Sequence, residues 1–442
     1  MNEKISKTFI ILSQQFGRKK TKWNNYRKFL KTQFYSEEDR LTFQNERFRS
    51  LVREVSNNVN YYKELFNNLY PLLNAINVSD LSRIPFLTKD ILREESGRLL
   101  NNTLSYRKFS NSTSGSSGQK TVFYSDLNAE LIKGPLVWRA LKWLDVDFGE
   151  KELRIWGSKS DVHRDSKIFA RSKNLIKNKA ILCSYKLTPS LINEYLEFIQ
   201  QFKPSQIHSY PSSLYEISKF ILERNIKPYK PKVILTSGEQ LYEWQRDFIQ
   251  KAFGVNVYNF YGCREVGIIA QECKHRKGLH IMSENIILEV VNQKGENVFD
   301  EEGEIVITEL SNYVFPFIRY KILDRGILTK GKCTCGITLP LLKAINGRTF
   351  DLIKFSDGGS IGATFFTILF KEKPGIKDFR IIQDNINEIK IEYLPEENDE
   401  DISYFRKRIE EHTNNRLKAV FIPVENFAII DSGKKQFIRS SI

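Results

Sequence analysis

The order strand, polar loop, helix occurs twice in succession in the middle of this sequence. Residues 206–225 (QIHSYPSSLYEISKFILERN) and 232–254 (KVILTSGEQLYEWQRDFIQKAFG) each place a short apolar run before a segment with helical spacing of apolar residues. Residues 255–267 (VNVYNFYGCREVG) begin what we interpret as a third such unit. Repeated units of this kind predict a largely parallel sheet with helices on both faces. Such sheets bind ligands at the carboxyl ends of their strands, where HSYPSS, TSGEQ and YGCREVG lie.

The length of 442 residues is too great for one compact core and predicts several domains. We predict a helical N-terminal extension over 1–75 packed on a large α/β domain over 76–346, followed by a small α+β domain over 347–442. The predicted fold class is therefore α/β, with mixed or parallel sheets flanked by helices in the large domain. The last boundary falls near INGRTFD (345–351), where a glycine permits a hinge.

The chain carries a formal charge of +15, which attracts nucleic acids, anionic membranes and phosphorylated small molecules. The first fifty residues contain 12 Lys or Arg against 5 Asp or Glu, and residues 17–31 are the densest basic run. This run has two interpretations: a solvated helix face, or a surface for an anionic membrane or acidic partner. Because it lacks the repeated aromatic and basic residues of a nucleic-acid platform, we expect no nucleic-acid partner.

Composition and cysteine usage exclude several classes of protein. No apolar run approaches the ~20 residues that a bilayer span requires, so we expect no transmembrane helix and a cytoplasmic location. The five cysteines are dispersed and odd in number, unlike a secreted disulfide framework. With 41% hydrophobic and 12% aromatic residues, the chain has enough core material to exclude global disorder.

Small hydroxyl and glycine residues are concentrated in NSTSGSSGQK (111–120). Glycines let backbone N–H groups approach a ligand closely, and Ser and Thr add hydroxyl donors, so the loop suits an anion such as phosphate. The segment is not a Walker loop, because its two glycines are only three residues apart. On this segment alone, a flexible surface loop is the alternative interpretation.

Six segments, in order along the chain, resemble the motifs of adenylate-forming enzymes. The resemblance covers about residues 30–442 and is nearest to the phenylacetate–coenzyme A ligase-like branch, which includes capsule-polysaccharide biosynthesis members. PFLTKDILRE, HSYPSSLYEISKF and the stretch from LTSGEQ to YGCREVG resemble that branch in particular. The six segments are STSGSSGQK (112–120), SGE (237–239), YNFYGCREVG (258–267), RYKILDRG (319–326), GRTFDLIK (347–354) and DSGKKQFIRSSI (431–442).

The resemblance implies an ATP- and Mg²⁺-dependent ligase that activates a small carboxylic acid as an acyl-adenylate. The acyl group would then pass to coenzyme A or to an amine, and in a capsule-type member the amine would belong to an amino sugar. The small C-terminal domain would be a mobile lid that rotates about Asp351. The sequence does not identify the acid, and it leaves both acceptors open.

By the same resemblance, the loop rich in serine and glycine would bind the β- and γ-phosphates of ATP. Relatives often have Lys in the second half of this loop, whereas Gln119 stands here with Lys120 beside it. Asp324 would accept hydrogen bonds from the ribose, although Leu323 stands where many relatives have Gly. The implied ATP-binding residues are Ser114, Gly115, Ser116, Ser117, Gly118, Gly238, Glu239, Asn259, Phe260, Tyr261, Gly262, Asp324 and Arg348, with Tyr261 stacking on adenine.

Two further residues would carry the chemistry. Glu265, in the Tyr-Gly-x-x-Glu core, would bind Mg²⁺, which bridges phosphate oxygens. Lys434 is the candidate catalytic lysine, because an ammonium would neutralise the charge that develops at the α-phosphate. Lys435 follows directly and is the alternative for this role.

Cysteine and histidine residues in CKHRKGLH (273–280) and CTCG (333–336) form a second candidate site. Cys273, Cys333 and Cys335 with one histidine would complete a closed set of four ligands for a structural Zn²⁺. Both His275 and His280 are available, and the similar GLH segment of many relatives favours His280. The alternative is free thiols on separate loops, which is also our interpretation of Cys183 and Cys263.

Two other classes of function remain as alternatives to a ligase. A catalytically silent scaffold of this fold would bind partners whether or not Lys434 and Glu265 are intact. A zinc-stabilised basic protein that binds nucleic acid would show steeply salt-dependent binding. The loop rich in glycine and hydroxyl residues and the segment YGCREVG disfavour this second alternative.

Overall fold

The computed structural model describes most of the chain, which divides into two compact units. The first unit comprises Met1–Ile322 and Gly326–Ile345, and the second comprises Leu323–Arg325 and Asn346–Ile442. The described residues are 12, 17–67, 75–103, 108–113, 121–156, 178–184, 187–348, 352–356, 360–362, 365–366, 369–370, 375–396, 402–427 and 438–442, and for 17–19, 113, 348, 352, 360 and 362 only the backbone is described.

Helices of the first unit precede and alternate with its strands. They are α1 (Gly17–Thr32), α2 (Glu37–Asn58), α3 (Asn60–Asn67), a 3-10 helix (Val78–Arg83), α4 (Lys89–Glu94), α5 (Leu127–Lys142), α6 (Pro189–Phe202), α7 (Pro211–Glu223) and α8 (Glu243–Phe253). None of the helices in the described part of the chain is both long and apolar enough to cross a bilayer.

The strands of the first unit fall into a hairpin and one large sheet. The hairpin pairs β1 (Phe109–Thr113) with β2 (Thr121–Ser125) in antiparallel register. The remaining strands are β3 (Glu152–Ile155), β4 (Lys179–Leu182), β5 (Gln206–Ser209), β6 (Val233–Thr236), β7 (Val257–Cys263), β8 (Gly267–Glu272), β9 (Leu279–Ile281), β10 (Ile286–Val291), β11 (Glu302–Glu309), β12 (Tyr320–Thr329) and β13 (Leu341–Arg348).

The large sheet joins eleven described strands in the order β10-β11-β12-β13-β9-β8-β7-β6-β5-β3-β4. Five of these strands run parallel to one another, in the order β4, β3, β5, β6 and β7. From β7 onward, the β7–β8, β8–β9, β9–β13 and β10–β11 pairs are antiparallel. The predicted α/β class with mixed sheets flanked by helices is confirmed.

The interpretation of residues 255–267 as a third strand–helix unit is wrong. Strand β7 is followed by the antiparallel strand β8 instead of a helix. Only three residues separate the two strands, and Gly262 permits the close approach, because a Cβ there would lie 2.5 Å from the carbonyl oxygen of Gly267. A parallel crossover needs a dozen or more residues, so this short connection forces a hairpin.

Helices cover both faces of the parallel half of the sheet. Helices α6, α7 and α8 pack with the Ile234 side of β6, whereas the end of α5 packs with Val233 and Leu235 on the other side. Local signals fix the ends of these helices: Thr188 caps α6 by accepting from the Leu191 amide. Gly254 ends α8 in the left-handed region, with φ of +65°. The carboxyl ends of β5 and β6 thus lead into loops whose following helices are firmly packed.

The antiparallel half of the sheet is covered by the N-terminal helices. Phe48, Leu51 and Val55 of α2 recur at helical spacing, are fully buried, and share one core with β8 to β12. Tyr62 of α3 joins this core and exchanges hydrogen bonds with the strand region, donating to the Pro316 carbonyl and accepting from the Ile318 amide. Helices α2 and α3 are thus part of the large unit's core.

The second unit has its own core and sheet. Its elements are β14 (Leu352–Lys354), β15 (Ser360–Gly362), β16 (Ile376–Asn385), β17 (Glu388–Pro395), α9 (Ile402–His412), β18 (Lys418–Pro423) and β19 (Ile438–Ser440). Strands β18-β17-β16-β19 form a four-stranded sheet, and Phe405 and Ile409 of α9 are fully buried in the cluster that this sheet covers. This unit is a small α+β fold, as the sequence predicts.

Candidate nucleotide site and cysteine–histidine cluster

A tight aromatic contact follows the carboxyl ends of β5 and β6. Gly238 has φ of +81°, and a Cβ at this position would lie 2.9 Å from the Tyr210 ring. Trp156 stacks on Tyr210 with 4.2 Å between the ring centroids. Any side chain at 238 would therefore displace this ring pair, which explains why the predicted adenine-pocket segment has glycine here.

The carboxylate of Glu239 is bound to the start of a helix. It accepts hydrogen bonds from the backbone amide of Ser212 at 3.1 Å and from the Ser212 hydroxyl at 2.9 Å, in the first turn of α7. A carboxylate is stabilised at a helix N-terminus by the unpaired amides and the helix dipole. Glu239 thus fixes the loop after β6 to the helix after β5, and its contact with adenine remains a prediction.

His208 is a buried polar residue of this region that the sequence reasoning missed. Its Nε2 lies 2.8 Å from the Ser237 hydroxyl, and its ring lies 5.4 Å from Trp156 and 5.0 Å from Phe260. Burial, reinforced by the positive charge of Arg154, lowers the pKa of His208 to about 3, so the ring is neutral at pH 7. A histidine inside the short strand QIHS is the sequence signal from which it could have been found.

The predicted adenine residues of β7 lie on different sides of the sheet. Tyr261 is buried in the core shared with α2 and α3, whereas Phe260 is half-buried and packs against the side that α5 covers. The backbone amide of Asn259 donates to Glu272 at 2.6 Å, which fixes the strand. Stacking of Tyr261 on adenine remains a prediction, and its ring already packs in the core.

Glu265 is buried in the turn between β7 and β8, and two residues hold it. The hydroxyl of Tyr320 donates to Glu265 Oε1 at 3.0 Å, and Lys133 Nζ donates to the Glu265 carbonyl oxygen at 3.2 Å. Lys133 also forms an ion pair with Glu309 at 3.3 Å. Burial raises the pKa of Glu309, and the charge of Lys133 opposes this shift. Tyr320, Lys133 and Glu309 were not predicted, because distant strands and a helix bring them together.

The Glu265 turn is also connected to the strand that leads into the serine- and glycine-rich loop. Arg264 Nη1 donates to the carbonyl oxygen of Ser112 in β1 at 3.2 Å. A cavity of about 530 Å³ lies beside this contact. Its lining includes Phe109, Ser110, Asn111, Lys133, Cys263 and Arg264. The structure therefore brings two of the predicted motifs to one location.

Several predicted site residues lie outside the described part of the chain. These are the loop residues Ser114, Gly115, Ser116, Ser117 and Gly118, with Gln119 and Lys120, the hinge residue Asp351, the catalytic candidates Lys434 and Lys435, and the side chain of Arg348. Asp324 is half-buried and belongs to the second unit. The preceding Leu323 adopts φ of +68°, a left-handed conformation that favours glycine. The non-glycine residue at this turn is thus accommodated at a conformational cost.

Four side chains with metal-ligating atoms meet at the β8–β9–β13 part of the sheet. Cys273 follows β8, His280 lies in β9, and Cys333 and Cys335 precede β13. Strand β9 pairs with β8 through His280 and Gln271, and with β13 through His280 and Leu341. The sheet register therefore brings together residues that are about 60 positions apart in the sequence.

The geometry of this cluster fits tetrahedral coordination. The four ligand atoms lie within 4.8 Å of one another, with Cys273 Sγ 3.6 Å from Cys333 Sγ and Cys335 Sγ 3.3 Å from His280 Nε2. A tetrahedron with Zn–S bonds of about 2.3 Å puts its sulfur atoms about 3.8 Å apart. Burial raises the pKa of Cys273 to about 12 and lowers that of His280 to about 4. The donor set thus fits Zn²⁺, and metal binding would have to displace the thiol protons.

The second candidate histidine lies outside this cluster. His275 is exposed, and its Nδ1 contacts the Thr334 hydroxyl at 2.8 Å. His280 instead packs edge-on against Trp143, with 5.3 Å between ring centroids. The geometry therefore favours His280 as the fourth ligand, the choice that the resemblance also favours.

Comparison with known proteins gives relatives of two kinds, although no family model matches the chain. It is 25% identical to Protein CapK of Staphylococcus aureus over 430 residues, which cover 91% of this chain and 90% of CapK. It is 30% identical to the phenylacetate-coenzyme A ligase of Thermus thermophilus over 162 residues, which cover 35% of this chain and 36% of that protein.

Among solved structures, a 2-hydroxyisobutyryl-CoA ligase in its postadenylation state superposes with a TM-score of 0.74 at 17% identity. The match covers 92% of this chain and 91% of the ligase. The fold is thus that of adenylate-forming ligases. In sequence, the chain is similar to CapK over nearly its whole length and to phenylacetate-coenzyme A ligases over about a third of it.

Proposed function

We propose that this protein uses ATP to activate a small carboxylic acid as an acyl-adenylate and then transfers the acyl group to coenzyme A. The observation that carries the proposal is the buried Glu265 carboxylate, which Tyr320 holds in a turn connected through Arg264 to the strand before the phosphate loop. This arrangement suits a group that meets a polyphosphate. The similarity to CapK over nearly the whole chain and to a phenylacetate-coenzyme A ligase over 35% of it supports the same reaction.

The first half-reaction joins two anions. A carboxylate oxygen of the acid attacks the α-phosphorus of ATP, the bond to the bridging oxygen breaks, and pyrophosphate leaves. Such a step requires positioning and neutralisation of charge more than proton transfer. Residues 114–118 would bind the β- and γ-phosphates, and Lys434 would neutralise the charge at the α-phosphate. In the second half-reaction, the thiol sulfur of coenzyme A attacks the acyl carbon, the carbon–oxygen bond to AMP breaks, and AMP leaves.

Glu265 is the residue that would hold Mg²⁺, whose charge would offset that of the phosphate oxygens. Its fit rests on its oxygen chemistry and burial, because Mg²⁺ binds carboxylate oxygens together with substrate phosphates. Tyr320 orients the carboxylate by donating to Oε1, and Lys133 fixes the backbone by donating to the carbonyl oxygen. These two residues would keep Glu265 in place before the nucleotide arrives.

The remaining nucleotide contacts are proposed on motif position. Asp324 and Arg348 would hold the ribose region, and residues 238–239 and 259–262 would line the adenine. Asp351 would be the hinge about which the second unit turns between the two half-reactions. The Glu239 carboxylate already accepts two hydrogen bonds from Ser212. The backbone of Glu239, and not its side chain, would therefore contact the adenine.

We also propose a structural Zn²⁺ held by Cys273, His280, Cys333 and Cys335. The proposal is supported by the short separations among the four ligand atoms and by their burial against Leu339 and Leu341. A closed set of four protein ligands leaves no position for substrate, so the metal would stabilise the first unit without taking part in the reaction. It would fasten the loop before β13 to strands β8 and β9.

An amine acceptor is the second candidate. Similarity to CapK over nearly the whole chain favours a capsule-related role, in which an amino sugar would take the acyl group. An anionic surface remains a candidate partner for helix α1, whose Lys20, Arg27 and Lys31 are exposed and basic. Binding to vesicles with and without anionic lipid would test that association independently of catalysis.

The activity is tested by carboxylate-dependent exchange of labelled pyrophosphate into ATP across a panel of small acids. The proposal predicts exchange with at least one acid and none without acid. Mass spectrometry of the product with coenzyme A or an amino sugar as acceptor then separates the two candidates. Absence of exchange with every acid, in protein that still binds ATP, would instead support the catalytically silent scaffold.

A further inference from the structure

A second cavity, of about 630 Å³, lies among helices α1, α2 and α5, and none of its lining residues belongs to the nucleotide motifs. Its lining combines two cations with an aromatic ring and apolar side chains. The lining residues are Lys28, Phe43, Glu46, Arg47, Ser50, Leu127, Asn128, Leu131 and Tyr313. Ligand pockets of proteins usually have about this volume and this mixture of apolar walls with a few polar groups.

The two cations of this cavity converge on one ring. Lys28 Nζ lies 4.6 Å from the centroid of the Phe43 ring, and Arg47 Cζ lies 5.7 Å from it. Neither cation forms an ion pair within 4 Å with any residue in the described ranges. Partial burial, together with the charge of Arg47, lowers the pKa of Lys28, and the charges of Glu46 and Glu284 oppose this shift. Two like charges therefore face a common space without close anionic partners, and an anion in that space would relieve their repulsion.

Arg47 in particular lacks the partners that a buried guanidinium normally has. Its Nε is buried and makes no hydrogen bond, and its Nη2 reaches only the Leu310 carbonyl oxygen, at 3.4 Å. The charges of the buried carboxylates Glu284 and Glu309 act on Arg47, but their ion pairs within 4 Å are with Arg139 and Lys133. A buried donor without an acceptor is costly, so Arg47 Nε leaves the site incomplete in hydrogen bonds.

The walls of the cavity also indicate the chemistry of the uncharged part of a ligand. Phe43, Leu127 and Leu131 offer apolar surface, and Tyr313 adds a second ring. Glu46 also lines the cavity, but its carboxylate is exposed, so water screens its negative charge. A group that carries about two negative charges matches two cations better than a carboxylate does, and a phosphate monoester carries about −1.5 to −2 at pH 7.

We propose that this cavity binds a small phosphate monoester with a planar or apolar body, through Lys28, Arg47 and Phe43. Arginine binds phosphate oxygens through its planar set of donors, and Lys28 supplies a second point charge. The site is separate from the proposed ATP site and does not depend on the proposed activity. A ligand there would contact α1, α2 and α5 together and would link the N-terminal helices to the helix that carries Lys133.

The test is calorimetric titration of the full-length protein with phenyl phosphate, inorganic phosphate and benzoate. A non-hydrolysable ATP analogue is kept saturating, so that the nucleotide site is occupied throughout. We expect phenyl phosphate to bind most tightly, because inorganic phosphate lacks the ring and benzoate carries one charge. Absence of binding by phenyl phosphate at millimolar concentration, or binding of phenyl phosphate no tighter than that of inorganic phosphate, overturns the proposal.

Variants locate the binding to this cavity. Lys28→Gln is expected to weaken phenyl phosphate binding by about tenfold, in the range of one charge-assisted hydrogen bond. Lys31→Gln is the matched control: it removes an exposed lysine from the same helix that does not line the cavity, and we expect less than about a twofold change. Equal weakening by the two variants would mean a general charge effect and would overturn the site.

A third variant tests the aromatic part of the site without removing a charge. Phe43→Leu is expected to reduce the affinity for phenyl phosphate while leaving the affinity for inorganic phosphate within about twofold. Phe43 is only half-buried, so this variant is expected to fold. Equal loss for both ligands, or no loss for either, contradicts a cavity in which Phe43 packs on the ligand body.

Discussion

The cysteine–histidine cluster and the proposed nucleotide site of this protein are held in different ways. All four cluster residues belong to the first unit, and β8, β9 and the loop before β13 bring their ligand atoms within 4.8 Å of one another. The predicted ATP-binding residues come from ranges on both sides of residue 346, and among the described ones Glu239 and Glu265 are fixed by hydrogen bonds. A structural metal site is closed within one core, whereas a catalytic site must admit and release its ligands.

This comparison predicts that loss of the cluster affects stability first. Cys333→Ser is expected to abolish zinc binding and to lower the free energy of unfolding of the first unit by more than about 4 kcal/mol, the range of a lost structural metal. Metal analysis of protein purified without chelator checks the first effect, and we expect about one zinc per chain in the unmodified protein. Denaturant unfolding checks the second.

Cys263→Ser is the matched control for the cluster variant. Cys263 lies in the nucleotide motif and outside the four-residue group, so its replacement should leave the zinc content unchanged. An unmodified protein without zinc, or a Cys333→Ser variant with normal zinc and stability, would favour free thiols.

Loss of the catalytic candidates is expected to affect activity without comparable loss of stability. Lys434→Ala and Glu265→Ala should each lower pyrophosphate exchange at least ~100-fold, since one positioned charge in such a site is commonly worth ~3 kcal/mol. Lys435→Ala is the control for Lys434 and should retain activity within about tenfold. Equal exchange by all three variants would remove these role assignments, and loss only in Lys435→Ala would transfer the catalytic role to Lys435.

A smaller effect is expected for the residue that orients Glu265. Tyr320→Phe removes one hydrogen bond to the carboxylate and should weaken catalysis by roughly 3- to 10-fold, about 1 kcal/mol. The loss should appear mainly in the concentration of Mg²⁺ needed for half-maximal exchange. Tyr62→Phe removes a buried hydroxyl of the same core that bonds to Pro316 and Ile318 instead of Glu265, and it should leave this Mg²⁺ dependence unchanged. A similar shift in both variants would indicate a general packing effect.

His208 gives the nucleotide region a pH dependence of stability. Its pKa of about 3 in the folded protein lies below the ordinary value of 6.5, so the unfolded chain binds the extra proton. The stabilisation is present above pH 6.5 and is lost as the pH falls toward 3, by about 1.4 kcal/mol at pH 5.5. Arg154 and Glu152 are the charges that act on this ring.

Urea unfolding of the unmodified protein and of His208→Gln at pH 7.5 and 5.5 isolates this contribution. The stability difference between the two proteins should shrink by about 1 kcal/mol at the lower pH. A difference that stays constant between the two pH values would contradict a neutral, buried His208.

The smallest effect concerns the turn before Asp324. Because Leu323 has φ of +68°, Leu323→Gly should be more stable than Leu323→Ala by about 1 kcal/mol, since alanine retains the Cβ that disfavours this conformation. Thermal unfolding of the two variants measures the difference. Greater stability of the alanine variant would mean that the left-handed conformation is not strained here.

Local patterns predicted much of the fold but not the partners of the site. The alternation of QIHS, PSSLYEISKF, KVILTS and EWQRDFIQKAF located β5, α7, β6 and α8, because each segment forms from nearby residues. The hairpin after β7 was missed, because YGCREVG read as the loop before a helix. Lys133, Tyr320 and His208 could not be assigned, because their roles arise from contacts with residues 29 to 132 positions away.

The most direct test of the central claim follows one oxygen atom. An acid that supports exchange is prepared with ¹⁸O in its carboxylate and incubated with ATP, Mg²⁺ and coenzyme A, and the AMP formed is analysed by mass spectrometry. Because the carboxylate oxygen bonds to the α-phosphorus and stays there when the thioester forms, we predict one ¹⁸O atom in AMP. Label in inorganic phosphate or pyrophosphate, with none in AMP, would contradict an acyl-adenylate.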